Sequence, residues 1–460
     1  MNLRFPFGKT SLAVRRTRPG YATSPSVRPV YRQRTRSVTI PKSDQKAKFR
    51  IWSDFAIMVA LVKKNLWVSS VWALALFSFF AVQERIGWPL LRYAGIRSFS
   101  FFTDLGWVFK SADSAKIIGW EIYNPQPPKD YSPYLYGSNL IRVVDFLGIN
   151  ESHTKIAGWT LMFLFCALLG MMISLIKIRS ITFSFFVFLI LISPPNQLLL
   201  ERANFDLFII ILLVVVTITV YTNKFLLSVF IVVFISLLKY YTLPMLIWFL
   251  IIWSKFKLRI TTFIVFILAA IYIFLDIKKI QIDFPRPSWA AFGNPIFGVY
   301  FNRFDIDLPP RVQDSIGLAL LGVTLLILKY IVFRFKVNLP TTKILTRPEN
   351  FIDSIFATFL IVFLICYFSS TSFDYRLVYL MVPIFIYING IHNDYKVKNT
   401  FYLATFLSFW LSYNSGDFQL LGDLAILFWV GIFIRSILLE IRERKALEND
   451  VVRKVLAFIL

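Results

Sequence analysis

Ser193–Asp206 reads SPPNQLLLERANFD, and it sets Glu201, Arg202 and Asp206 between two runs that carry no charge. Upstream lies ITFSFFVFLILI (181–192) and downstream LFIIILLVVVTITV (207–220). Neither run alternates apolar with polar residues as a barrel strand would. In lipid, only helices and closed barrels satisfy every backbone N–H and C=O. The two runs therefore read as membrane helices, and the polar stretch between them as the connection. Its meaning depends on what shares its side of the membrane.

Composition extends that reading to the whole chain. Hydrophobic residues make up 57% of the 460, above the roughly 45–50% of soluble domains. Mean hydropathy is +0.65. A polytopic, all-α integral membrane protein is expected, with about 12 transmembrane helices by a hydropathy window. The runs lie near 66–82, 156–176, 181–195, 206–222, 225–240, 242–254, 259–276, 314–333, 354–369, 376–391, 400–413 and 418–438. Cys166 and Cys366 both lie inside such runs and read as small core residues.

Residues 1–55 differ. They are rich in Arg, Ser, Thr and Pro, and Asp44 is the only acid before Ile51. Such a segment cannot bury a core and is expected to be a disordered basic tail beside anionic lipid. A transit peptide has the same composition. The membrane body follows over 56–438, and a second basic tail over 439–460. With the N-terminus in the cytoplasm, the inner loops hold Lys177, Arg179, Lys224, Lys255, Lys257, Arg259, Arg334, Lys336, Lys396 and Lys398. Roughly two thirds of the 50 basic residues then fall inside, as the positive-inside rule requires. Both termini are expected in the cytoplasm, in a bacterial inner (plasma) membrane.

That orientation puts 193–206, the long loops 83–155 and 277–313, the turn 369–376 and the segment 414–418 on the extracytoplasmic side. The polar clusters form a crown at one interface. In the first loop, Asp104 precedes Leu105, Val108, Phe109 and Ala112, which have helical spacing. An interfacial helix is predicted there, with Asp104 at its start, where the helix dipole favours a carboxylate. A general base and a plain N-cap both fit. In the second loop, Trp289, Phe292, Phe297, Tyr300 and Phe301 suit an aromatic belt or stacking on a sugar ring or prenyl chain.

Three cations lie at outer span ends: Arg202, Lys239 in LLKYYTLP and Arg376 in SFDYRLVY. Charges at that depth cost several kcal/mol unless paired or functional. They fit either a phosphate site or snorkelling and internal pairs such as Arg202–Asp206 or Asp374–Arg376. His153 and His392 fall on opposite sides, so no metal site is expected. No Gly-rich phosphate loop occurs, which argues against a nucleotide-driven pump. Nothing in the pattern points to nucleic acid.

FTDLGWVFKSAD, GWEIYNP…YSPYLYG, LLLERANFD, LLKYYTLP, SWAAFGNPIFG and TSFDYRLVYLMVP, in that order over about 98–384, resemble the glycosyltransferase 87 family. The resemblance implies a GT-C-type fold and a polyprenyl-phosphate-sugar donor. It also implies inverting transfer to a hydroxyl of a lipid-linked or cell-envelope glycan on the extracytoplasmic face, without a cofactor. By motif, Asp104 would be the base. Leu105 follows it, so the acidic pair of other GT-C enzymes is missing, which argues against a required divalent metal. Arg202 would bind phosphate, with Lys239 and Arg376 beside it. Glu201, Asn204, Asp206, Tyr240 and Tyr375 would line the substrate site. Ala203 stands where ERGN would carry glycine.

Two other functions fit the composition. A lipid-linked oligosaccharide flippase or transporter would carry charges in mid-span, where this chain reads as apolar. An O-antigen-type polymerase or ligase would use an arginine-rich outer loop, for which Arg286, Arg303 and Arg311 are the available residues.

Overall fold

The computed structural model describes residues 65–93, 102–118, 138–176, 180–278, 291–293, 295–301, 306–335, 344, 348–369, 372–391, 395–412 and 418–443. Two compact units divide the chain, Met1–Arg50 and Ile51–Leu460, and every described residue belongs to the second. The expected N-terminal tail, the Pro/Tyr-rich run 123–137, His392 and residues 444–460 lie outside the described residues.

The second unit is built from helices. In order they are α1 (Asn65–Arg85), α2 (Pro89–Tyr93), α3 (Thr103–Ile118), α4 (Ser138–Phe146), α5 (Thr154–Ile176), α6 (Ile181–Leu191), α7 (Pro194–Glu201), α8 (Asp206–Tyr221) and α9 (Phe225–Leu238). Then follow α10 (Met245–Ile252), α11 (Phe256–Ile277), α12 (Ile296–Val299), α13 (Pro310–Phe335), α14 (Phe351–Ser369), α15 (Val378–Asn389), α16 (Tyr395–Trp410) and α17 (Phe418–Glu443). The chain is an all-α membrane protein. Each apolar run read from the sequence overlaps a helix, although 181–195 crosses the break between α6 and α7. Among the described residues, six helices are long and apolar enough to cross a membrane, namely α1, α5, α11, α13, α14 and α17, or seven if the bent pair α6–α7 is one span. Helices α8, α9 and α15 are apolar but shorter.

Burial separates centre from rim. The most apolar windows of α14, α17 and α5 are 67%, 61% and 56% buried, against 22% for α11 and α13 and 11% for α1. A helix apolar all round but buried belongs inside a bundle, whereas one left exposed faces lipid. So α5, α14 and α17 form the centre, with α8 packed on α14 and α5. Helix α17 continues to Glu443, past the boundary expected at 438.

The opening stretch departs from its expected loop. After Ser193 the chain turns by 45° into α7, and all eight residues of α7 are buried. Pro194 and Pro195 occupy its first turn, where their missing N–H groups cost nothing. The break leaves the last carbonyls of α6 without helical donors. The amides of Asn196 and Gln197 supply them, donating to Ile190 O at 2.9 Å and Ile192 O at 2.5 Å. These side chains hold a broken helix inside the protein.

Among the described residues the one strand pairing joins β1 (Ala291–Phe292) to β2 (Ser372–Phe373), antiparallel. It ties the second long loop to the segment before Arg376. Phe292 stacks on Phe363 of α14 with ring centroids 5.8 Å apart, which seats that pairing on the central helix.

Candidate functional site

The site begins with the end of α7. Ala203 has φ +43°, its N–H bonds Leu200 O, and the Asn204 N–H reaches back to Leu199 O. This is a Schellman ending, which requires a left-handed residue at the position Ala203 occupies. The glycine expected in ERGN is thus a conformational demand, met here by alanine at a cost of about 1–2 kcal/mol. The turn points the carbonyls of Glu201 and Arg202 away from α7. Glu201 O accepts from Phe102 N at 3.0 Å, and Arg202 O from Asp104 N at 3.1 Å.

Those donors are the N–H of Phe102, just before α3, and that of Asp104 in its first turn. The C-terminal end of α7 and the N-terminal end of α3 therefore satisfy each other's orphan groups, bringing helix ends of opposite partial charge together. Phe102, at φ +54°, is wedged beside this joint. Its ring lies over Gly158 of α5, where an added methyl would overlap it. Asp104 sits in the first turn of α3, as the sequence predicts.

From this joint a continuous chain of polar contacts runs inward. The Asn204 amide donates to Asp104 Oδ2 at 2.6 Å, and Arg202 Nη1 lies 3.9 Å from Asp104 Oδ1. Lys239 Nζ donates to Asn204 Oδ1 at 3.0 Å and lies 3.2 Å from Asp206 Oδ2. Arg376 Nε is 3.5 Å from the same Asp206 oxygen. The Tyr241 hydroxyl donates to Asp206 Oδ1 at 2.5 Å and lies 2.8 Å from the Tyr379 hydroxyl. The Arg376 guanidinium lies over the Tyr241 ring at 4.7 Å. Six expected residues, Asp104, Arg202, Asn204, Asp206, Lys239 and Arg376, from four separate segments of the sequence meet here.

Depth distinguishes their roles. The side chains of Asp206 and Lys239 are 0% and 2% exposed, whereas Arg376 is 16%, Arg202 13% and Asp104 25% exposed. Burial of a lone charge is prohibitive, so Lys239 is the internal counter-ion of Asp206. Arg202, Arg376 and Asp104 keep surface that a ligand can meet. Arg202 faces Asp104 and, at 4.0 Å, Glu201, while Arg376 faces Asp206; the Asp374 side chain of the other anticipated pair lies outside the described residues. Burial pushes the Asp104 carboxyl above its ordinary value, against the opposing pull of Arg202, the Asn204 hydrogen bond and Lys239.

Tyr240 does not join this chain. Its hydroxyl donates to Asp276 Oδ2 at 2.6 Å, and Asp276 also accepts from the Ser138 N–H at 3.1 Å and hydroxyl at 3.0 Å. Residues Tyr240–Thr242 form a 3-10 turn after α9, and that turn sends Tyr240 to α11 and Tyr241 to Asp206. Sequence reasoning missed Tyr241 and Tyr379. The available signal was the doubled tyrosine beside Lys239 and the three-residue spacing from Arg376 to Tyr379. Tyr375 lies in the turn Asp374–Leu377, and its side chain is outside the described residues. The Glu201 carboxylate is buried beside Arg202.

The spans are not wholly apolar. Asp423 in α17 is buried, and its carboxylate accepts the Tyr300 hydroxyl. Among the described residues, no group of three His, Cys, Asp or Glu side chains is placed to hold a metal ion. Comparison with family models, curated proteins and solved structures finds no match to this chain.

Proposed function

We propose that this protein is a GT-C-type membrane glycosyltransferase that moves a sugar from a polyprenyl-phosphate donor to a glycan hydroxyl. The observation that carries this reading is the chain from Asp104 through Asn204 and Lys239 to Asp206 and Arg376. A reachable carboxylate and two reachable arginines occupy one buried polar centre in an apolar body. The ordered motifs similar to the glycosyltransferase 87 family fall on these same residues and support the same reaction.

In the proposed step, Asp104 takes the proton of the acceptor hydroxyl. The acceptor oxygen bonds to the anomeric carbon from the face opposite the phosphate, giving inversion. The bond from that carbon to the phosphate oxygen breaks, and its electron pair leaves with the lipid phosphate. Arg202 and Arg376 stabilise the charge that develops there. Asn204 orients Asp104, and Lys239 keeps Asp206 neutralised. The raised value of the Asp104 carboxyl strengthens it as a base once ionised. No cofactor enters this scheme.

The same reading takes all twelve apolar runs as crossings of a bacterial inner membrane. Both termini are cytoplasmic and the Asp104 site is extracytoplasmic, as the distribution of Lys and Arg favours. The test is to incubate membranes containing the protein with labelled polyprenyl-phosphate sugars and follow both the sugar and the lipid. Transfer to a glycan with release of polyprenyl phosphate is expected. Movement of intact donor across the bilayer without release would establish a flippase instead. Consumption of only pyrophosphate-linked donors would establish a polymerase or ligase.

A further inference from the structure

Between α10 and α14 lies an open groove of about 410 Å³, within the roughly 300–1,000 Å³ of ligand sites. Pro244 and Ser369 stand at one end, and Ile247, Ile251, Ile361 and Ile365 line its length. Ile247 and Ile251 are exposed, so the groove opens sideways, toward where lipid would lie. The lining spans two helical turns of each helix, about 10–12 Å at 1.5 Å per residue.

The groove is apolar along its length and charged beside its mouth. Pro244 follows Tyr241 by three residues, and Tyr241 donates to Asp206. Ser369 precedes the β2 pairing that leads to Arg376. Cys366, next to Ile365 in α14, is within electrostatic reach of Arg376, Asp206 and Lys239. Helix α14 also packs against the turns Tyr240–Thr242 and Asp374–Leu377, so both walls lead toward the segments that carry Tyr241 and Arg376. A ligand that matches this layout has a hydrocarbon chain and one anionic head.

We propose that this groove seats the hydrocarbon chain of a lipid phosphate, whose head meets Arg376. The inference rests on the glycosyltransferase reading for its biological donor, and it fixes the path by which that donor enters: laterally, between α10 and α14. The chain supplies affinity through buried apolar area, about 25 cal/mol per Å². The arginine selects an anionic head over a zwitterionic or neutral one. Aromatic residues of the second outer loop are then not needed to hold the chain.

The experiment uses the purified full chain and a long-chain alkyl phosphate carrying a diazirine in its chain. After irradiation, label is expected on peptides containing Ile247, Ile251 and Ile365. Excess unlabelled long-chain alkyl phosphate should abolish it, and inorganic phosphate at the same concentration should not. Arg376→Ala should lower labelling by about tenfold, the scale of one charge-assisted hydrogen bond. Ile365→Trp, which fills the groove without touching the cluster, should lower it in a protein with an unchanged melting temperature. Equal labelling of the lipid-facing helices α11 and α13, insensitive to both substitutions, would overturn the proposal, as would full competition by inorganic phosphate. The readout is binding, so groove labelling with no sugar transfer from any donor would remove the transferase reading and leave the lipid site standing.

Discussion

Lys239 and Arg376 both reach Asp206, but they lie at different depths, and their substitutions should fail differently. Lys239→Ala leaves a fully buried carboxylate short of its nearest counter-ion, a loss of about 3–5 kcal/mol. Low expression and a lowered melting temperature are expected. Arg202→Ala and Arg376→Ala should melt near the parent, with transfer down by about tenfold to a thousandfold, the range for one transition-state donor. Full turnover in both arginine variants would make these cations structural. Asp104 adds a pH signature. Its carboxyl is raised by burial, so transfer should be lost as pH falls through a value above the ordinary Asp figure of about 3.9. Linkage gives the opposite sign for stability. The folded state holds the proton more tightly, so this contribution is fully present below the unfolded value and disappears as pH rises through the folded one. An acid limb of kcat/KM at or below the ordinary carboxylate value would remove Asp104 as the titrating base.

At the scale of elements, the joint between α7 and α3 positions Asp104, the proposed base. Ala203→Gly relieves a left-handed alanine and should raise stability by up to about 1 kcal/mol, read as a higher melting temperature with transfer retained. A lower melting temperature would mean that the Ala203 methyl, fully buried, contributes more by packing than its backbone costs. This joint also marks how far the sequence could be read. The helices were legible because long apolar runs have one solution in lipid. The start of α3 was legible because a short acid heads a periodic segment. Ala203 is legible as an alanine where the similar motif carries glycine, and its φ of +43° gives the reason. Helix α7 was not legible, because Ser-Pro-Pro-Asn reads locally as a turn. Only Asn196 and Gln197, reaching back to α6, make a buried break tolerable. The exchange of Tyr240 for Tyr241 was hidden for a related reason. A single 3-10 turn resets the helical phase, and no periodicity argument crosses it. The β1–β2 pairing that steadies Arg376 joins segments far apart in the chain, with two residues on each side, too little pattern to detect.

At the scale of the whole molecule, the residues of the proposed mechanism lie at or near helix ends, and the proposed orientation puts those ends outside. Cysteines placed at Ser132 and Ser288 should react with an impermeant thiol reagent added to intact cells, and one at Asn399 should not. Labelling of Asn399 from outside would invert the topology and with it the proposed acceptor. The reaction itself is tested most directly in purified protein reconstituted into vesicles, comparing the parent with Asp104→Asn. Asparagine caps a helix about as well as aspartate, so α3 and its joint with α7 should persist, and bound donor should be retained. Sugar transfer from the polyprenyl-phosphate donor should fall by about a hundredfold or more, as expected for loss of a general base. Equal transfer by the two proteins, with matching melting temperatures, would contradict the account.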